Sequence, residues 1–598
     1  MSDSASPLSL SSPRVRTSLR HAPWTGLLVL AALSCGAVGW SLQQPVALGP
    51  GLVAGTGAAR MPAQRTTNLP GAGLSRGLIR LDPTRPDALL DSAQLSRLPR
   101  DLLRVPLLHD VLREDFVDYY EHGEARLSLA GTLRRIAWEH RLALPEALLA
   151  DALDAPAQVA LWRGPTGKLD YAALVLQRNG IARVLEVLGK VALDDAQLRR
   201  VGSLDVDGDA VALYALGYAR RHLLFASHGD RLLVLTAPGL LLDAPGRVDA
   251  GRARQFAQLL AGTGQAPWAA APVGLAATPL GKRAGHGIAL ATGVAGFGYQ
   301  RFFPGVEAVR FDFSADGSWH TLALVDPARV SGWDSAALWR ALPAGAAACA
   351  SLPLDWSAAG ALLDAVAGGQ DGTTLATALD PVAAVCWYGK SRLSAPLFIA
   401  RVRDAGQLAA LKPRIGELFA RYIGATEAQA GDTGGRLPVN ITEQAGTTRW
   451  RREVSARYGS APRQAARHAG QLSAARLFPV TLALGDEVVL FSPDGALVDD
   501  ALAVEARTWP ALADEMPGDT ARVIARITPA ALATLVGNEA FESLPANRET
   551  LFRDAATHYL KPRLDALARY GTLDLVLPAR LPATRGWVAV DWVAAPAR

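Results

Sequence analysis

Gly229-Asp-Arg-Leu-Leu-Val-Leu-Thr-Ala-Pro-Gly-Leu-Leu-Leu-Asp243 and Gly485-Asp-Glu-Val-Val-Leu-Phe-Ser-Pro-Asp-Gly-Ala-Leu-Val-Asp499 carry one pattern at two places in a 598-residue chain. Each reads as a glycine turn, a short apolar strand, a hydroxyl residue, then Pro and Gly ahead of an apolar run. Leu223–Ala226 and Val480–Ala483 precede the turns, so each block predicts a β-hairpin, with glycine supplying the positive φ of a tight loop. Thr236 and Ser492, at the ends of their strands, predict helix N-caps.

Three further matches keep the same order. Asp91-Ser-Ala-Gln-Leu-Ser-Arg-Leu-Pro99 answers Asp334-Ser-Ala-Ala-Leu-Trp-Arg-Ala-Leu-Pro343, and Leu149–Asp154 running to Trp162 answers Leu375–Asp380 running to Trp387. A strand from Trp319 answers one from Trp587. The spacings stay near one value, and chance does not keep four matches collinear. The pattern predicts two tandem copies of one domain, residues 78–327 and 328–598, with a unit far longer than a solenoid repeat.

The first copy opens with helical sequence, in which Leu103, Val105, Leu107, Leu108, Val111, Leu112, Phe116 and Tyr119 recur mostly at three- and four-residue steps; a second helix is read over Leu127–Trp138. Strands follow at Val159–Trp162, Tyr171–Leu176, Ala210–Gly217, Leu223–Ala226 and Leu232–Leu235, with a helix over Ile181–Val191. Each copy closes with a strand pair, Ala308–Phe313 with Trp319–Val325 and Leu573–Leu577 with Trp587–Val593. Helices followed by a strand meander predict an α+β fold. Alternation in the closing pairs is imperfect, as in strands covered on both faces.

Before the first copy, Arg14, Arg16 and Arg20 precede Trp24–Trp40, a stretch without charge. Its 17 residues at about 1.5 Å each come to roughly 26 Å, close to the hydrocarbon thickness. The expected arrangement is a cytoplasmic segment 1–23, a transmembrane signal anchor 24–40, a flexible Gly/Ala/Pro/Gln/Thr-rich linker 41–77, and the bulk of the chain in the periplasm. A cleaved signal peptide and lipidation at Cys35 are the competing readings, and both also export the folded part.

A net charge of +5 with 61 basic and 56 acidic residues gives no dense basic stripe, which argues against nucleic acid as a partner. The expected partners are the lipid bilayer, through the N-terminal helix, and an envelope protein. One segment of the second copy breaks the symmetry: between the strand pieces near Arg452 and Leu477 it carries Arg457, Arg463, Arg467, His468 and Arg476 and no acid. Those four arginines are the candidate partner-binding residues, against the alternative of a solvated loop.

The chain has three cysteines. Cys349 and Cys386 could bridge in an oxidising compartment, but Leu161 aligns with Cys386 in the first copy, which favours a small core hydrophobe. No zinc-ligand spacing or HExxH occurs, so no metal or cofactor is implied. Gly73-Leu-Ser-Arg-Gly77 has the glycine spacing of a nucleophile elbow but no strand before Ser75, and no serine stands three residues before a lysine. Gly389-Lys-Ser391 resembles the tail of a phosphate loop whose earlier glycine is missing. Asp110, Glu114 and Asp118 share a helix face and read as solvated, and Asp230, Asp243, Asp486 and Asp499 as turn and loop residues. A non-enzymatic role follows as the first reading, with an envelope hydrolase assembled from distant residues as the alternative.

The runs Leu98-Pro-Arg-Asp-Leu-Leu-Arg-Val-Pro-Leu-Leu108, Glu114-Asp-Phe-Val-Asp-Tyr-Tyr-Glu121 and Leu223-Leu-Phe-Ala-Ser-His-Gly-Asp-Arg-Leu232 resemble those of the YfaA-like proteins, an uncharacterised bacterial family. The resemblance implies an amino-terminal membrane segment and genes lying beside those of alpha-2-macroglobulin-like envelope proteins. It implies no catalytic residue.

Overall fold

The computed structural model describes residues 79–595 apart from 107–153, 178–197, 430–437, 455–477, 544–553 and several shorter stretches. Ten strands of the main sheet come from the first half: β1 (Ala88–Ser92), β2 (Ala157–Arg163), β3 (Leu169–Gln177), β4 (Leu198–Val206), β5 (Asp209–Tyr218), β6 (Arg221–His228), β7 (Arg231–Leu235), β8 (His286–Ala291), β9 (Val306–Phe313) and β10 (Trp319–Val325). Ten more come from the second: β11 (Ala346–Pro353), β12 (Leu379–Tyr388), β13 (Leu397–Val402), β14 (Asn440–Gln444), β15 (Thr447–Val454), β16 (Phe478–Leu484), β17 (Val488–Ser492), β18 (Val523–Ile527), β19 (Leu573–Val576) and β20 (Gly586–Ala594). The helices used below are α1 (Leu98–Leu102), α2 (Ala250–Ala261), α3 (Ala336–Ala341), α4 (Trp356–Ala367), α5 (Ala405–Gln429), α6 (Gly495–Glu505), α7 (Pro529–Ser543) and α8 (Lys561–Leu567).

These twenty strands join one antiparallel sheet, and Leu242–Ala244 pairs with Arg247–Val248 in a separate two-stranded ribbon, so the α+β expectation holds. The first half is ordered β10-β9-β8-β1-β2-β3-β7-β6-β5-β4. The second is ordered β20-β19-β18-β11-β12-β13-β17-β16-β15-β14. Counted along the chain, the two orders are the same. The halves meet through β10 and β20, with Thr321 opposite Val590 and Ala323 opposite Val588. Trp319 stacks on Trp592 across the seam, and Trp592 Nε1 donates to Thr321 Oγ1.

Helices cover both faces, which is why these strands are apolar at consecutive positions. In the first half Leu89, Ala160, Trp162, Ala173, Leu233 and Leu235 face α2, whose Phe256, Leu259 and Leu260 are buried against them. Ala88, Leu90, Val159, Leu161 and Ile288 face the other way, onto Leu98, Leu102 and Val105. In the second half Cys349, Ala384, Cys386, Leu397, Ile399 and Leu490 lie under α3 and α6. Their alternate neighbours meet α7 and α8 at Val385 and Trp387, and α5 at Trp450 and Val480.

The five first-copy strands read from the sequence fall within β2, β3, β5, β6 and β7, and the two closing pairs are β9–β10 and β19–β20. The hairpin at Gly229 forms as expected, with φ +57° and His228 opposite Arg231. Gly485 differs: its φ is not positive, and its N–H donates to the Val488 carbonyl.

Neither hydroxyl residue caps a helix. Thr236 extends the β3–β7 ladder, its Oγ1 accepting from the Ala172 N–H at 2.6 Å, and the chain beyond it makes only a 3-10 turn over Pro238–Leu240. Ser492 is still within β17, and the cap of α6 is Asp494, whose carboxylate accepts from the Ala496 N–H.

Two sequence matches also shift. Asp91 and Ser92 end β1, whereas Asp334 and Ser335 lead into α3 ahead of β11. Trp162 and Trp387 occupy β2 and β12, each the second strand of its half. Yet Trp162 lies on the face covered by α2, and Trp387 on the face away from α3 and α6.

The reading of Cys386 as only a core hydrophobe is corrected. Cys349 and Cys386 are register partners on β11 and β12 and form a disulfide. In the first half, β1 and β2 place Leu89 opposite Ala160 and Asp91 opposite Gln158 on the face covered by α2, with no cysteine between residues 78 and 327.

No helix among the described residues is long and apolar enough to cross a membrane. The segment 24–40, the linker, the helices read at Leu127–Trp138 and Ile181–Val191, and the acidic set from Asp110 lie outside the described residues.

Candidate functional site

β2, β1, β8 and β9 are apolar through most of their length but polar at one end. The register sets Ser92 opposite His286, Asp91 opposite both Gln158 and Gly287, Gly287 opposite Asp312, and Ala289 opposite Arg310. Because side chains alternate across a strand, these residues separate into two sets on opposite faces.

On the α2 face, Arg310 is 2% exposed and lies 3.4 Å from Asp91, itself 2% exposed; its Nε donates to Asp312 Oδ1 at 2.8 Å. Arg283, from the chain before β8, also pairs with Asp312. Gly287 makes room for both guanidinium groups, since a Cβ there would sit 2.3 Å from Arg310 Nη2 and 2.5 Å from Arg283 Nη2. Burial, and then the neighbouring Arg310, pulls Arg283 below the usual arginine value. The second half has a buried pair on the strands corresponding to β8 and β9. Arg526 Nη1 lies 3.1 Å from both Asp574 oxygens, and its Nη2 donates to the Glu515 carbonyl. Burial pushes the Asp574 carboxyl up, against the lowering effect of Arg526.

On the opposite face, Ser92 Oγ lies 2.8 Å from His286 Nδ1, and His286 Nε2 lies 3.1 Å from Asp101 Oδ2. Asp101 comes from α1, and Arg104 stands 3.6 Å from its other oxygen while donating to the Ala315 carbonyl. Ser92, His286 and Asp101 are each no more than 3% exposed. Burial is the main influence on the imidazole and lowers its pKa, which the Asp101 contact only partly opposes. In the neutral tautomer that satisfies both contacts, Nε2–H donates to the carboxylate and Nδ1 accepts from the Ser92 hydroxyl.

A hydroxyl, an imidazole and a carboxylate in line are the components of an acyl-transfer triad, but this geometry does not assemble one. In such a triad the carboxylate holds Nδ1 and Nε2 activates the serine; here the two nitrogens are exchanged. Ser92 also sits in a regular strand paired on both sides, not on a strained turn, and all three groups are sealed from solvent. What the line does is fasten α1 to β1 and β8.

That role has a pH signature. Since the folded-state pKa of His286 lies below the ordinary value of 6.5, the unfolded chain takes up the proton first. The stabilisation is complete above 6.5 and is lost as pH falls from there through the folded-state value. Urea midpoints measured between about pH 5 and pH 8 should therefore fall on acidification. His286→Gln should flatten that component of the profile, and an unchanged slope would remove His286 as its source.

The residues singled out from the sequence mostly have structural partners. Ser391 Oγ donates to Asp494, the cap of α6, and Lys390 pairs with Asp500 on the same helix. Gln177 donates to Asp230, and Arg449 pairs with Asp499. Arg457, Arg463, Arg467 and Arg476 lie outside the described residues, in the segment 455–477 that connects β15 to β16; the corresponding β5–β6 connection is only residues 219 and 220. Among the described residues there is no group of three or more His, Cys, Asp or Glu placed to hold a metal ion. The Ser92–His286–Asp101 line was not foreseen. His286 lies 194 residues from Ser92 and 185 from Asp101, so no local spacing reports the line; the hint in the sequence is Asp91-Ser92 closing an otherwise apolar strand.

A family model described as "Uncharacterized protein conserved in bacteria (DUF2138)" matches residues 28–592. The chain belongs to that family. A relative, "Uncharacterized protein YfaA" of Escherichia coli (strain K12), is 36% identical over 523 residues, covering 86% of this chain and 91% of the relative. The resemblance to YfaA-like proteins thus holds over most of the length. Among solved structures, crystal form IV of TP0453 is similar at 8% identity, covering 43% of this chain and 86% of that one, with a TM-score of 0.21. That likeness is too slight to carry any argument about the fold or function.

Proposed function

We propose that this protein is anchored in the bacterial inner membrane by residues 24–40, holds two copies of one ancestral module in the periplasm, and acts by binding an envelope partner and not by catalysis. The Cys349–Cys386 disulfide carries the proposed location, because such bonds persist in oxidising compartments and are rare in the cytosol. The uncharged stretch after Arg14, Arg16 and Arg20 supports the orientation, amino terminus inside. The common strand order supports the doubling, as does the pairing of the corresponding strands β10 and β20.

The proposed partner contact is the basic segment with Arg457, Arg463, Arg467 and Arg476, which only the second half possesses. A macroglobulin-type protease trap is the class of partner that the family resemblance points to. Crosslinking and capture of the full chain from membranes should recover one envelope protein. Replacing the four arginines together by glutamate should weaken that recovery by about tenfold or more and make it less sensitive to salt. Unaltered capture would dismiss the segment as the contact.

The alternative reading is an envelope hydrolase assembled from distant residues, and the Ser92–His286–Asp101 line, despite its exchanged nitrogens and burial, is the place to test it. A fluorophosphonate probe decides between the two. No adduct is expected on the folded chain, and labelling of Ser92 that His286→Gln abolishes would establish the hydrolase.

A further inference from the structure

We propose that the Cys349–Cys386 bond makes the stability of the second half, but not of the first, depend on the redox state of the surroundings in which the chain folds. The two sulfur atoms join adjacent strands at the centre of that half, between residues 2% and 0% exposed, under Leu338 and Trp339 of α3 and Leu497 and Leu502 of α6. In the first half, β1 and β2 hold Leu89 opposite Ala160, both 0% exposed beneath α2, and residues 78–327 contain no cysteine. One core is closed by non-covalent packing alone; the other carries a covalent link between its two central strands.

The bond spans 37 residues, including α4, and so restricts the unfolded ensemble of one half only. A link over a loop of this size shifts a folding equilibrium by roughly 30- to 1,000-fold. Its formation needs a dithiol–disulfide oxidant. The thiolate of one cysteine attacks a sulfur of the oxidant's disulfide to form a mixed disulfide. The second thiolate then displaces the oxidant, which leaves as a dithiol, and the two cysteines give up two protons and two electrons. Because both sulfurs are sealed in the folded sheet, exchange requires β11 and β12 to open, and the bond records the conditions under which the chain folded.

The test uses the detergent-solubilised full chain. One sample is reduced with a phosphine in urea and returned to native buffer with the phosphine present; an oxidised sample passes through the same cycle without it. Hydrogen exchange should then be faster by roughly 30- to 1,000-fold in β11, β12, β13 and β17 of the reduced chain, with β1, β2, β3 and β7 unchanged. The paired substitution C349L/C386A, which replaces both thiols by carbon side chains, should protect both halves equally with or without the phosphine. Equal loss in the two halves, or no loss in either, overturns the proposal, as does alkylation of both thiols in chain denatured without reductant. The inference stands apart from the proposed location: a chain found in the cytoplasm whose cysteines pair after purification would refute export and leave it intact.

Discussion

Arg310→Met is expected to destabilise the first half by about 3–5 kcal/mol. The guanidinium is 2% exposed, and β9 holds it between Asp91 of β1 and Asp312 of its own strand. Methionine retains most of the aliphatic stem, so packing changes little and the loss is mainly electrostatic. The buried Asp91 carboxylate loses the cation that lies 3.4 Å from it, and Arg283, which it shares with Asp312, only partly makes up the loss. Replacing both buried charges at once, Arg310→Met with Asp91→Leu, should recover most of the loss, because the desolvation of each charge offsets much of their attraction. Hydrogen exchange in β1, β8 and β9 measures both variants. A single-substitution cost below about 1 kcal/mol, the range of an exposed ion pair, would contradict this burial.

The same polar ends of β1, β8 and β9 show how far sequence reading reached. Hairpins and strand pairs were legible because their signals are local: Gly229 marks its turn, and Trp319 and Trp587 start strands that pair as expected. Val206-Asp-Gly-Asp209 carries an equally local signal, realised as a turn with Asp207 at φ +53° and Gly208 at φ +92°, and β4 was missed for want of using it. Register was not legible. A strand covered on both faces is apolar at every position, so a one-residue slip in matching two halves leaves the pattern intact while exchanging the faces. That is how Trp162 came to be aligned with Trp387, although the two side chains lie on opposite faces of their halves.

Helix caps failed for a related reason. Ser492-Pro-Asp494 offers two capping side chains, and the choice falls to Asp494 because β17 extends through Ser492, whose backbone pairs with Thr481. Where a strand ends is set by its neighbour in the sheet and not by its own residues. Ser92, Asp101 and His286 lie further still from local signals, since three separate segments must meet before any of them has a partner.

Trp339→Ala is the second large effect expected, about 3–5 kcal/mol and confined to the second half. Trp339 is fully buried in α3, its indole Nε1 donates to the Val523 carbonyl at 2.9 Å, and it packs in the core that contains Cys349 and Cys386. Alanine leaves a cavity beneath a rigid sheet and removes the donor to β18. Phenylalanine keeps most of the ring and should cost less, about 1–3 kcal/mol, for the carbonyl left without that donor. The residue belongs to the stretch Asp334–Pro343 whose sequence matches Asp91–Pro99, yet the first half fills its core from elsewhere, with Trp268 beyond α2 set edge-on to Trp162 at 6.3 Å. Hydrogen exchange in β11, β12 and β18 should therefore accelerate while β1, β2 and β8 hold. Equal acceleration in both halves would mean that the two cores unfold as one unit, coupled through the seam between β10 and β20.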